Sequence, residues 1–179
     1  MSHQGSLQLT ALSAGENRFL DSVRQGMEKY FGSDLRRILH AHEVTQHAVN
    51  LLQYIDADPI LTLSACYLHD IGIPEAERKY GHCSGKLQEQ EGPPVARLLL
   101  ADIPADEELI NRVAELVGVH HTPQALDTPE FRILWDADAL VNLAEVVAGK
   151  QAHEIEKIIG KYLITEPGYR MACAIYLPG

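Results

Sequence analysis

Hydrophobic positions recur at helical spacing along almost the whole chain. In residues 17–31, NRFLDSVRQGMEKYF, Phe19, Leu20, Val23 and Met27 share one stripe, which predicts an amphipathic helix. A second helix opens at Ser33 or Asp34, both good N-caps, and runs to about Ile55. Asp58-Pro59 restarts a helix, with proline in the first turn where its missing N–H costs least. That helix carries ILTLSACYLHD and ends near Gly72. Gly72, Pro74, Gly81 and Gly85 then predict a loop over residues 72–88 that holds one short helical turn. Helical periodicity returns over 95–101, 106–119, 129–147 and 151–164, and a last helix is predicted in GYRMACAIYL. No alternating strand pattern, internal repeat, low-complexity tract or long linker interrupts the series. The pattern predicts an all-α, single-domain helical bundle over residues 1–179.

Composition narrows the class. Apolar residues make up 46% and charged residues 22%, as expected of a chain that buries a core. No apolar run reaches bilayer-spanning length, and MSHQGSLQLTALSAGEN lacks a basic patch followed by an apolar core. A cytoplasmic protein with no membrane role is expected. The three cysteines, Cys66, Cys83 and Cys173, lack CxxC spacing and read as free thiols. A net charge of −10, no basic helix and 6% aromatic residues argue against nucleic acid as a partner. The long first and last helices could mediate a homodimer, though nothing in the pattern shows it. Nine histidines are more than this composition leads one to expect, and they raise metal chemistry.

The helical register sorts the histidines. Val44, Ala48, Leu51 and Ile55 fall on the face of His40, so His40 points inward. His42 joins Gln46, Asn50 and Gln53 in the polar row, and His47 reads as an inner, hydrogen-bonded histidine. An inward His40 needs a partner. His69-Asp70 closes the next helix, His120-His121 closes another, and Asp136 and Asp138 lie in the apolar helix FRILWDADALVNLAE. Asp138 belongs to the inner arc with Ala137 and Val141, and Asp136 to roughly the opposite side. Each feature alone has a plain structural reading, from a satisfied core histidine to helix-end charge complementation. Together, four helices offer imidazole and carboxylate to one core, which suits divalent Fe, Mn, Zn, Co or Ni.

These residues resemble the HD superfamily of metal-dependent phosphohydrolases. The interval from His40 to His69 matches without a gap, LHDIG resembles the central signature and DADAL the last one. The resemblance covers roughly residues 35–147. It implies His40, His69, Asp70 and Asp138 as ligands of one divalent ion. The His120-His121 doublet resembles two-metal branches such as bacterial cyclic-dinucleotide phosphodiesterases, in which the bridging aspartate would be Asp70. Those branches carry a further histidine where this chain has Gln88, with Glu89, Glu91 or His82 as substitutes that spacing does not match. One or two metals per chain are therefore open. The tripeptide GYP is absent after the doublet, against cyclic-di-GMP as substrate, and Ile73 stands where many relatives carry Lys or Glu.

The resemblance implies attack of metal-bound hydroxide on a small phosphorylated molecule, a nucleotide or a phosphomonoester or diester, with His69 and Asp70 at the reacting centre. Arg78, Lys79 or Lys86 could neutralise the phosphate, or be ordinary surface charge, and His82 could be a substrate contact or a loop residue. Two alternatives belong to the same fold: a di-iron oxygenase and a non-catalytic signalling module, the second disfavoured because His40, His69, Asp70 and Asp138 are all present.

Overall fold

The computed structural model describes residues 12–177. The signal-peptide reading of the first residues, and the last two residues of the tail, lie outside them. Nine helices and no strands occur among the described residues: α1 (Ala14–Phe31), α2 (Leu35–Leu51), α3 (Pro59–Leu68), α4 (Ile73–Tyr80), α5 (Gly85–Ala101), α6 (Glu107–Val117), α7 (Pro129–Val147), α8 (Ala152–Tyr162) and α9 (Glu166–Tyr176). The all-α expectation holds, and one hydrophobic cluster runs through residues of α1, α2, α3, α5, α6, α7, α8 and α9.

Local chemistry sets the helix starts. Ser13 accepts from Glu16 N, and Glu16 accepts from Ser13 N, so two orphan donors are satisfied at the head of α1. Asp34 caps α2 through Arg37 N, and Asp58 caps α3 through Ile60 N and Leu61 N. Leu20, Val23, Met27 and Phe31 form the buried stripe of α1. α2 ends at Leu51, short of Ile55, and tight turns carry the chain onward through Ile55.

α3 is the central strut. It packs against α1, α2, α6 and α7, and from Leu61 to Cys66 every side chain is buried. Its sequence is apolar all round, as a helix enclosed on every side requires. Glu130, in the first turn of α7, accepts from Asp58 N at 3.1 Å, tying the starts of α3 and α7 together. The C-terminal end of α3 delivers His69 and Asp70 between α2 and α7.

The predicted loop over 72–88 is instead mostly helical. α4 fills Ile73–Tyr80, and α5 starts at Gly85 and continues through Pro93 and Pro94, well before the predicted start at 95. The breakers stand at boundaries. Gly72 is the N-cap of α4, Pro74 lies in its first turn, and Gly81 closes it at φ 77°. Pro93 and Pro94 supply no N–H to the carbonyls one turn earlier, yet α5 carries on past them. Gly72 lies directly against α5: a Cβ there would come within 2.5 Å of both Gln88 O and Gly92 N.

Asp136 faces away from Asp138, as its register predicts, but it is fully buried under the α8–α9 junction. Its carboxylate accepts from Ile164 N at 2.8 Å, Thr165 N at 2.9 Å and the Thr165 hydroxyl. Burial pushes its carboxyl upward, and the bonds from Thr165 and Ile164 only partly offset that. Trp135 beside it donates Nε1–H to Tyr162 O at 2.9 Å. Adjacent residues of α7 thus fasten the last two helices.

Gly72→Ala should destabilise the fold by roughly 1–3 kcal/mol, because the atoms it meets are backbone. Gly15→Ala, where a Cβ meets only Ser13 Oγ at 3.8 Å, should be neutral or slightly stabilising, with urea titration of both variants as the measurement. Asp136→Ala should cost on the order of 3 kcal/mol, since it strands two backbone donors, and should expose the α8–α9 junction to faster amide exchange.

Candidate metal centre

His40 in α2, His69-Asp70 after α3 and Asp138 in α7 meet at one point. His40 Nε2 lies 3.0 Å from Asp138 Oδ1 and 3.6 Å from Asp70 Oδ2. His69 Nε2 lies 3.4 Å from Asp70 Oδ2 and 3.5 Å from Asp138 Oδ1. The Nε2 atoms of His40 and His69 face each other at 3.2 Å, so at most one of them can carry a hydrogen toward the other. His120, after α6, brings Nε2 within 3.6 Å of the other Asp70 oxygen, Oδ1. Two groups with the spacing of a metal site result: His40, His69 and Asp70, and Asp70, His120 and His121.

Both buried imidazoles are oriented in the same way. His69 Nδ1 bonds Cys66 O at 2.8 Å, and His120 Nδ1 bonds Val117 O at 2.7 Å. Each histidine stands just beyond a helix, and the carbonyl three residues earlier belongs to the last turn, where acceptors lack donors. A carbonyl only accepts, so Nδ1 carries the hydrogen and, in the neutral ring, Nε2 carries the lone pair. His120 Nε2 is buried and has no hydrogen-bond partner. A bare, buried lone pair aimed at a carboxylate is what a cation would complete.

Electrostatics point the same way. Burial pushes Asp70 upward, but the charge of His69 and the close approach of the His120 and His69 imidazoles outweigh it and hold the carboxyl well below its usual range. Asp138 is likewise pushed up by burial and brought down further by hydrogen bonds from His40 and His69. Burial lowers His69, yet the Asp70 charge and the Asp138 hydrogen bond raise it well above an ordinary imidazole. Two carboxylates therefore draw positive charge to His69 Nε2, and a proton and a divalent ion would compete for that atom.

The second group is built differently. Gln88 Nε2 donates to Cys83 O at 2.8 Å, which leaves Gln88 Oε1 to accept from His121 Nε2 at 2.9 Å. His121 Nε2 thus carries a hydrogen, and only Nδ1 remains as a donor of electrons. Burial and the neighbouring His120 hold the His121 pKa down. The substitutes named from sequence are engaged elsewhere. Glu89 accepts from His121 N and the Thr122 hydroxyl, and Glu91 accepts from Lys79, Tyr80 and Gln90. His82 is exposed and joins neither group.

The remaining sequence candidates separate clearly. Arg78 pairs with Glu75, and Lys79 pairs with Glu91 and Glu75. Lys86 is exposed and has no ionic partner among the described residues. It follows Gly85, where a Cβ would lie 2.9 Å from the His121 ring. His42 is half-buried, bonded to Glu28 at 2.9 Å and edge-on to Tyr67, so it does not enter the cluster. The hydrogen-bonded role expected of His47 is not found: its Nδ1 has no partner, and burial lowers its pKa. Sequence reasoning missed Trp135, Asn142 and Tyr162, which line a cavity opening onto Asp138 and His120. Trp135 is the chain's single tryptophan, and that was the available signal.

Comparison with known proteins adds a family. The solved structure of a predicted HD superfamily hydrolase from an uncultured Thermotogales bacterium is 26% identical, with a TM-score of 0.58, over 89% of this chain and 84% of that one. Bacillus subtilis YpgQ is 15% identical, with a TM-score of 0.57, over 88% of this chain and 87% of its own, a likeness of fold. No curated protein matches. The HD domain family model matches residues 37–143, more than half of the chain and the whole span from His40 to Asp138. The convergence of His40, His69-Asp70 and Asp138 thus lies inside the matched region, and this chain belongs to the HD domain family.

Proposed function

We propose that this protein is a metal-dependent phosphohydrolase acting on a small phosphomonoester, with one tightly held divalent ion. The observation that carries this reading is the His69 imidazole, whose Nδ1–H is committed to Cys66 O and whose Nε2 faces both Asp70 and Asp138. His40, His69, Asp70 and Asp138 would hold the ion, and their nitrogen and oxygen donors suit Fe, Mn, Co, Ni or Zn. When bound, such an ion polarises a phosphoryl oxygen and lowers the pKa of a coordinated water. The Thermotogales relative, described as a predicted HD superfamily hydrolase, supports a hydrolytic reaction here.

The chain's own residues have distinct tasks in this reading. The helix-end carbonyls of Cys66 and Val117 keep two imidazoles in the ligating tautomer. Asp70 presents one oxygen toward His40 and His69 and the other toward His120, so it is the residue that could bridge two ions. Gln88 weakens the second position, because it commits His121 Nε2 to a hydrogen bond. Lys86 is the cation we retain for meeting the phosphate, since Arg78 and Lys79 are neutralised by Glu75 and Glu91.

Elemental analysis of protein purified without chelator should find about one equivalent of transition metal per chain, lost in Asp70→Ala. The loaded protein should release phosphate from phosphomonoesters. No metal after reconstitution would end the enzyme reading, and oxygen consumption without phosphate release would replace it with an oxygenase. Gln88→His should raise the stoichiometry toward two equivalents by restoring an imidazole beside His120 and His121. Metal affinity should weaken as the pH falls, starting above the ordinary imidazole range because His69 is raised, since the proton competes for the same nitrogens. Calorimetry in buffers of different ionisation heat should show proton release on binding.

A further inference from the structure

A cavity of about 200 Å³ opens beside the cluster. His120, His121 and Asp138 form its inner end. The rest is lined by Trp135, Ala139, Asn142, Leu143, Val146 and Tyr162. No lysine or arginine lines it, and Asn142 is the only neutral polar side chain among these apart from the tyrosine hydroxyl. The Trp135 indole N–H is already donated to Tyr162 O, so the ring offers the cavity apolar surface rather than an open donor. That bond also holds the α8 wall against α7.

These features select among phosphate esters. A polyphosphate tail carries several negative charges, and beyond the one ion held at Asp138 the chamber offers no lysine or arginine to meet them, so burying the tail there carries a desolvation cost. An uncharged ring loses nothing by leaving water and gains contact with Trp135, Leu143 and Val146. The size sets a limit as well: a cavity of about 150 Å³ accepts a benzene ring, whereas drug-sized ligands occupy about 300 Å³ or more. We infer that the organic part of the substrate is a single uncharged, largely apolar ring, seated in the cavity between Trp135 and Val146, with Asn142 reading one polar substituent. This inference rests on the phosphohydrolase reading, which supplies the phosphate end, and it makes Trp135, Asn142 and Val146 specificity-determining residues.

The test is a binding measurement that needs no turnover. Protein reconstituted with zinc, which is redox-silent, is titrated with phenylphosphonate and with methylphosphonate, two non-hydrolysable anions that differ in the ring alone. The single tryptophan, Trp135, reports on the cavity by fluorescence, and calorimetry gives both affinities. Phenylphosphonate should bind roughly tenfold more tightly, or better, and should change the Trp135 emission, whereas methylphosphonate should leave it nearly unchanged. Val146→Phe, which fills the far end of the cavity, should abolish the advantage of the phenyl compound without weakening methylphosphonate. Equal affinity for the two anions overturns the ring inference and leaves the phosphohydrolase reading intact. A phenyl advantage that survives in Val146→Phe places the ring elsewhere and also overturns it. Failure of both anions to bind the zinc-loaded protein removes the phosphohydrolase reading and the inference with it.

Discussion

Two backbone carbonyls govern the cluster. Cys66 O and Val117 O each lie in the last turn of a helix and each takes the Nδ1–H of the histidine that follows. Helix ends have acceptors to spare, so the bond costs the helix nothing and fixes the ring. Everything that converges on Asp70 depends on it. Without that restraint His69 could present its N–H to Asp138 from either nitrogen, and the face-to-face approach of His40 and His69 would have no defined polarity. The helices supply more than a frame: their unsatisfied termini choose the tautomer.

The framework holding those carbonyls is the enclosed helix α3. Buried on nearly every side, it cannot rotate without breaking contacts to α1, α2, α6 and α7 at once. Its start is fixed by Asp58 and Glu130, and its end carries His69 and Asp70. The close approach of Gly72 to α5 then sets the height at which Gln88 meets His121. The precision of a charged, half-enclosed cluster therefore derives from apolar packing a few residues away.

Much of this was legible in the sequence, for physical reasons that can be named. Caps such as Asp34 and Asp58 act within three residues, and the inward register of His40 follows from one helical period. Those are local effects, so the chain order reveals them. The helix α4 was not legible, because Gly72, Pro74 and Gly81 break a helix in its interior but start and stop one at its ends. The pairing of Gln88 with His121 and the grip of Asp136 on Thr165 join residues 33 and 29 positions apart. Such contacts depend on how helices pack, and a lone glutamine or aspartate carries no periodic mark of its distant partner. His47 stands for the opposite limit: its inward register was readable, but its missing partner was not.

The bond from Trp135 to Tyr162 joins two stretches of different standing. The clustered histidines and aspartates fall within 37–143, the span shared with the family, whereas Tyr162 lies beyond it. One wall of the chamber thus lies within the span of the HD domain match, and the other comes from α8, beyond it. Changes in α8 can reshape the cavity without touching an imidazole or carboxylate of the cluster. One indole–carbonyl contact, from Trp135 to Tyr162, is the seam between the two walls.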